Sequence, residues 1–403
     1  MKKMMMMAMM LVAGATAFAG DSDGLKAIMK AKTYAEAEQL VKQNLGSLAD
    51  NAEKAKAYNK LVDLCMDKVA REVGTMNENQ MAVQMGSGKT TPYDTLGLAD
   101  AICNAIDNAI ECDKYDQLPN AKGKVKPQFN EKNTQRVWPV RVHLVNIGQE
   151  EARKGNNAGV LKYWGMFTDS AEEPFFASQD HKPEQEYAGQ VAFFAGRYAF
   201  DAKDMKRANK YFEVAKRDPK QRADAVNAQL YAMRSQLKTR EDSLSFVNML
   251  KGMYDQDPQN DAVTDALILM YDGLDKKAEA DFLAKHLQKF PNNFSALANM
   301  GMIAYGENRY EEAIDWLNKA AAVKPDNAAI FTFLGTCYSG QADNTENKAK
   351  NKELYQKAIE AFDKAKQLDP QNETRWGYNR YRTYYTLYGG DDPRTKAAEA
   401  DNK

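Results

Sequence analysis

Five prolines frame the C-terminal part of this 403-residue chain: Pro219, Pro258, Pro291, Pro325 and Pro370, at spacings of 39, 33, 34 and 45. Proline lacks a backbone N–H and fixes φ, so within a helical stretch it ends the helix. Recurrence near every 34 residues marks a repeated unit too short to be a domain and long enough for two helices. Small residues recur in the same register. One unit carries Gly301, Ala313, Leu317, Ala320 and Pro325, and the next carries Gly335, Tyr338, Ala358, Phe362, Ala365 and Pro370. Gly301 and Gly335 are 34 apart, whereas Ala313 and Ala358 are 45 apart, so eleven residues are inserted within the polar stretch 339–356. Each unit is predicted to be two antiparallel helices. Gly335 thins the first helix where the second passes, Ala358 thins the second, and Leu334, Tyr338 and Phe362 fill the seam.

A third unit carries Gly196, Ala208, Phe212 and Ala215, and two degenerate units end at Pro258 and Pro291. On these residues, which follow L/M-G-x-x-Y/A…A-x-x-x-F/L-x-x-A…P, the chain resembles tetratricopeptide repeat proteins. The resemblance implies an all-α, right-handed superhelical solenoid of helix pairs. The array would cover 187–371 in about five units, best formed at 294–325 and 328–370. In that family the first helix of each unit lines a concave groove that binds extended peptides or partner helices. Carried onto this chain, the groove-facing residues are Gln190, Phe193, Arg197, Phe200 and Asp201. Further along they are Ser295, Ala298, Met302 and Tyr305, then Thr332, Thr336 and Ser339. This lining lacks the Lys/Asn/Arg set with which chaperone-binding members clamp a terminal carboxylate.

Upstream, 20–186 reads as helical but less regular, a possible run of degenerate repeats. Leu98, Ile102, Ala105, Ile106, Ala109 and Ile110 form a wide apolar helix face, with Thr91-Pro92 as its cap and first turn. Tyr58, Leu61, Cys65 and Val69 form a second stripe. Residues 142–167 read as a helical hairpin turning at Gly155–Asn157, and 74–91 and 113–130 as long loops. After Pro370, a helix over 372–390 with Tyr378, Tyr381, Tyr385 and Tyr388 on one face is expected to cap the array. The polar stretch 391–403 is expected to be disordered.

Residues 1–19 read as an export signal: Lys2 and Lys3, the apolar run Met4–Leu11, then Ala17-Phe18-Ala19 at a small-x-small cleavage pattern. No cysteine lies near that point, so a lipid anchor is not expected. Lys+Arg 55 against Asp+Glu 56 gives a net charge of −1, without the basic excess that nucleic-acid binding needs. Four cysteines are too few for a disulfide scaffold. Cys103 and Cys112 lie about 13 Å apart along one helix, too far to bridge. Cys65 pairing with either of them, and buried free thiols, both stay open.

Candidate chemistry is sparse. MGSGKT at 85–90 is half a phosphate loop, but Val83 stands where the first glycine belongs and no strand precedes it. His143, His181 and His286 lack partners at ligand spacing, and no nucleophile elbow is present. Neither cofactor nor metal is expected, and no enzyme. Thr95, Ser170 and Ser243 stand in D-[ST]-apolar matches that resemble the periplasmic O-glycosylation acceptor of Bacteroidota, whose exported tetratricopeptide repeat proteins the chain resembles overall. The reading is a non-catalytic periplasmic scaffold for a protein or peptide partner. The alternatives are a carbohydrate-binding helical-repeat protein, with the Trp376 and tyrosine cluster as its platform, and an assembly factor of an envelope or secretion complex.

Overall fold

The computed structural model describes residues 21–86 and 88–401, so the export segment expected at 1–19 lies outside the described residues. Those residues form helices joined by turns, with no strand among them. Contacts divide the chain into two units that meet after Ala232.

The first unit contains α1 (Asp23–Lys30), α2 (Tyr34–Asn44), α3 (Asn51–Gln84), α4 (Thr95–Asp116), α5 (Asn130–Val137), α6 (Val142–Arg153), α7 (Asn157–Ala171), α8 (Ala188–Asp201) and α9 (Met205–Ala215). The boundary falls near the end of α10 (Arg222–Arg234). The second unit contains α11 (Arg240–Gln256), α12 (Asp261–Leu274), α13 (Lys276–Lys289), α14 (Phe294–Gly306), α15 (Tyr310–Val323), α16 (Ala328–Asp343), α17 (Lys348–Leu368), α18 (Trp376–Tyr388) and α19 (Pro393–Ala400). Sequential neighbours pack as pairs: α3 with α4, α6 with α7, α8 with α9, and α12 with α13 through α18 with α19. No helix among the described residues is long and apolar enough to cross a membrane.

The repeat residues do the work their spacing predicts. A Cβ placed on Gly196 would sit 2.7 Å from the Phe212 ring, on Gly301 2.7 Å from Leu317 Cγ, and on Gly335 2.7 Å from the Phe362 ring. Each glycine admits a large side chain of the second helix against the backbone of the first. Ala208, Ala313 and Ala358, their counterparts on the second helix, are fully buried. A fourth pair obeys the same rule. On Gly148 in α6 a Cβ would meet the Trp164 ring of α7 at 2.5 Å. The step from Gly148 to Trp164 equals that from Gly196 to Phe212 and from Gly301 to Leu317, so the 142–167 hairpin crosses by the same rule.

The turns repeat too. Gly155, Lys203 and Asn308, each seven residues after its glycine, take left-handed backbone at φ 72, 60 and 60. The next N–H in each case closes onto a carbonyl five residues back: Asn156 to Glu151, Asp204 to Ala199 and Arg309 to Ala304, all at 2.9 Å. This satisfies an orphan carbonyl at the helix end and aims the chain into the second helix. The start of a unit is fixed by asparagine. Asn260, Asn293 and Asn327 accept from the N–H of Val263, Ala296 and Ile330 and cap α12, α14 and α16.

The first unit also holds a buried charge. Arg141 is fully buried beneath the connection from α7 to α8. Its guanidinium donates to Glu184 at 2.9 Å, to Ser170 Oγ at 2.7 Å and to the Phe167 carbonyl at 2.7 Å, and it lies 3.9 Å from the Trp138 ring centre. Every face of the cation is occupied, which is what makes such burial tolerable.

Several expectations change. The loop expected at 74–91 is helix as far as Gln84. Cys65 and Val69 are buried with the apolar face of α4, Leu61 is buried with α1 and α2, and the helix runs on past those contacts, with Asn79 bracketing the Thr91 backbone at 2.7 Å both ways. The cap of α4 is Asp94, accepting from Gly97 N–H, and not Thr91-Pro92. The loop expected at 113–130 is shortened by α4, which continues to Asp116. The tail expected to be disordered forms α19, because Ala398 and Thr395 are buried and Asp401 receives Lys366 at 2.6 Å and Arg380 at 3.0 Å. On α18 the buried face is Trp376, Arg380, Thr383 and Tyr384, while Tyr378 and Tyr385 are exposed. All four cysteines are free and buried, so Cys65 bridges neither Cys103 nor Cys112. Burial pushes the Cys65, Cys103 and Cys337 thiols up to about 12.

Gly335→Ala tests the seam. The added methyl has no space against Phe362, and overpacking of this kind costs about 1–3 kcal/mol. Urea unfolding of the variant at the wild-type midpoint or above would refute the role given to this glycine.

Candidate interaction surface

Successive first helices of the second unit line two cavities. The first, about 510 Å³, lies between α12 and α14, with Asp265, Leu269 and Asp272 on one wall and Ser295, Asn299 and Met302 on the other. Lys276 and Glu279, from the start of α13, and Glu307, just past α14, complete it. The second, about 160 Å³, is lined by Tyr305, Thr336, Ser339 and Asp343 and by Asn379, Arg382 and Thr383 of α18. Its hydroxyls are mutually engaged: Ser339 and Thr383 lie 3.1 Å apart, and Thr336 donates to the Thr332 carbonyl at 2.9 Å.

The residues predicted to face a groove therefore separate. Ser295 and Met302 share the first cavity, and Tyr305, Thr336 and Ser339 the second. Ala298 packs on the apolar core. Thr332 does not face a groove: it is buried, bonded to the Ala328 carbonyl and to Thr374 Oγ1 at 3.2 Å. In the first unit Gln190 and Arg197 are exposed on α8. Phe193 and Phe200 are half-buried in ring contacts with Phe212 and Tyr231. Asp201 lies apart from them, in a cavity with Leu161, Asp169, Arg207 and Tyr211.

The residues that sequence reasoning missed are Asp265, Leu269 and Asp272. They belong to α12, in a unit without the glycine signature. Its register was available from the Asn260 cap and from the second helix, where Glu279, Leu283 and His286 stand 34 residues before Ala313, Leu317 and Ala320. Two small apolar positions of the seam are thus occupied here by ionisable side chains. Glu279 and His286 are 2% and 1% exposed, and Glu279 Oε2 and His286 Nε2 have no hydrogen-bond partner. Burial, then the charge of Asp272, raises the Glu279 carboxyl above its ordinary value, against the pull of Lys276. Burial lowers the His286 imidazole, whose Nδ1 lies 2.8 Å from the Tyr254 hydroxyl.

Elsewhere the chemistry is quiet. Among the described residues no three His, Cys, Asp or Glu side chains gather into a metal-ligating group. The 85–90 stretch follows helix α3 rather than a strand. Of the glycosylation matches, Ser170 is excluded by burial: its hydroxyl donates to the Met166 carbonyl and accepts from Arg141. Thr95 and Ser243 are half-exposed within helices. Trp376 is buried too, its indole donating to the Asp369 carbonyl at 2.8 Å, and so cannot present a face to a ligand. A further cavity of about 780 Å³ is lined by α13 and α15 beside Trp316, with Leu297 and Met300 of α14 completing it.

His286 makes the second unit sensitive to acid. Its neutral form is favoured in the fold, so the unfolded chain binds the proton more readily. Stability present above the ordinary value of 6.5 is then lost as pH falls below it. Denaturant unfolding is expected to give a smaller stability difference between about pH 7.5 and pH 5 in His286→Ala than in the wild type. An unchanged difference would remove His286 as the cause.

Residues 294–327, the α14–α15 pair, match the tetratricopeptide repeat family model. Among solved structures the chain is similar to MamA (15% identity, 46% of this chain and 94% of that one, TM-score 0.31). It is also similar to the C-terminal part of a TPR repeat-containing protein from Cytophaga hutchinsonii (10% identity, 63% and 98% covered, TM-score 0.36). A third is YrrB, described as a TPR protein with an unusual peptide-binding site (15% identity, 61% and 95% covered, TM-score 0.25). No curated relative matches the chain.

Proposed function

We propose that this protein is a non-catalytic scaffold that holds a protein or peptide partner along the first helices of its repeats, in the periplasm after loss of residues 1–19. The observation that carries this reading is the alignment of two cavities along α12, α14, α16 and α18, with Ser295, Met302, Tyr305, Thr336 and Ser339 in their walls. Stacked helix pairs hold such a surface rigid, and many modest contacts along it supply affinity. Residue-specific photocrosslinking in cells tests it. A probe at Met302 should trap a discrete partner, one at the exposed Leu118, outside the array, should not, and Tyr305→Ala with Thr336→Arg should reduce capture about tenfold. Equal capture from both positions would sink the proposal.

A second reading, carbohydrate binding, keeps support from Tyr378 and Tyr385, 59% and 53% exposed on α18. Aromatic faces of this kind stack on sugar rings, and Trp376 has no part in it. An oligosaccharide panel should then raise the melting temperature of the wild type and leave Tyr378→Ala/Tyr385→Ala unmoved. No shift in the wild type would end this reading.

A further inference from the structure

The α12–α14 cavity has a charge that the scaffold reading, on which this inference rests, does not by itself require. Asp265, Asp272, Glu279 and Glu307 face it against a single lysine, Lys276. Two of these carboxylates are already answered. Asp272 is in an ion pair with Lys276, and Glu307 is held by Arg309 at 2.8 Å. Asp265 and Glu279 are in no ion pair among the described residues, and Glu279 is the less comfortable of the two. Its side chain is buried at the cavity wall with Oε2 lacking any donor. A buried acceptor left unmatched costs about 1–3 kcal/mol, and the equivalent position in other units is alanine (Ala208, Ala313 and Ala358), so the fold has no packing need for a carboxylate there.

We infer that this cavity receives the guanidinium of an arginine side chain presented by an extended peptide segment, with an apolar neighbour of that arginine resting on Leu269 and Met302. The carboxylates do not converge as metal ligands do, which disfavours a compact cation and suits a planar fork of five N–H donors. Leu269 and Met302, 51% and 44% exposed at the rim, offer apolar surface on both sides of the acidic floor. The raised Glu279 carboxyl fits the same picture, since an incoming cation would favour its ionised form.

The test uses the full chain and a random decapeptide display library, followed by fluorescence-anisotropy titration of the enriched peptides. Enriched peptides should carry arginine next to an apolar residue. Replacing that arginine by citrulline, its neutral isostere, should weaken binding at least about tenfold. Asp265→Asn and Glu279→Gln in the protein should do the same. Asp265 is exposed, so its variant keeps the test sharp even where Glu279→Gln disturbs folding. Enriched peptides without arginine, or with affinities unchanged by Asp265→Asn, would overturn the arginine pocket and leave the scaffold standing. A library that yields no binder would overturn both.

Discussion

The close crossing of paired helices is the constraint on which the rest of the structure depends. In four pairs the first helix carries a glycine at the contact, and the second lays a Trp, Phe or Leu side chain against it. The crossing works only if both partners are present: a methyl on the glycine collides, and a small residue opposite would leave a void. Because the turn between the helices closes through the same left-handed geometry in three of these pairs, the second helix arrives at that contact with a fixed direction. Everything outside, including the register of the groove residues, is set by where this contact falls.

Those features explain what the sequence disclosed. Gly196, Gly301 and Gly335 with their alanines were legible because small residues at fixed intervals are rare by chance and have one physical use. The hairpin of α6 and α7 was legible as helices and as no more than a possible worn repeat, because Val160 and Phe167 replace the two alanines of its second helix. The α12–α13 pair was legible only as a degenerate unit ending at Pro291, for a related reason. Ile268 stands where the glycine belongs, with Glu279 and His286 in place of alanines, so the residues it turns toward the acidic cavity could not be placed from small-residue spacing. The end of the chain misled by composition: a polar stretch folds because Asp401 meets Arg380 and Lys366, partners distant in sequence.

The chain treats its buried charges in two ways. Arg141 is enclosed by an acid, a hydroxyl, a carbonyl and aromatic rings, and so fastens one connection in one position. Glu279 is buried as deeply but is given nothing to bind with one of its oxygens. A satisfied buried charge specifies a structure, whereas an unsatisfied one carries a cost that a proton or an incoming donor relieves. The contrast within one protein separates architecture from readiness to bind.

The eleven-residue insertion has a geometric effect beyond spacing. With 21 residues, α17 is half as long again as the 14-residue α15, and α16, at 16 residues, exceeds the 13-residue α14. Seven additional residues extend a helix by about 10 Å, so the α16–α17 pair stands out past its neighbour as a buttress, braced by Tyr310 against Gly340 and by Tyr355 bonded to Asp343. The residues added within 339–356 fall after Gly335 and before Phe362, so one pair of helices is lengthened while the crossing that holds it is left intact.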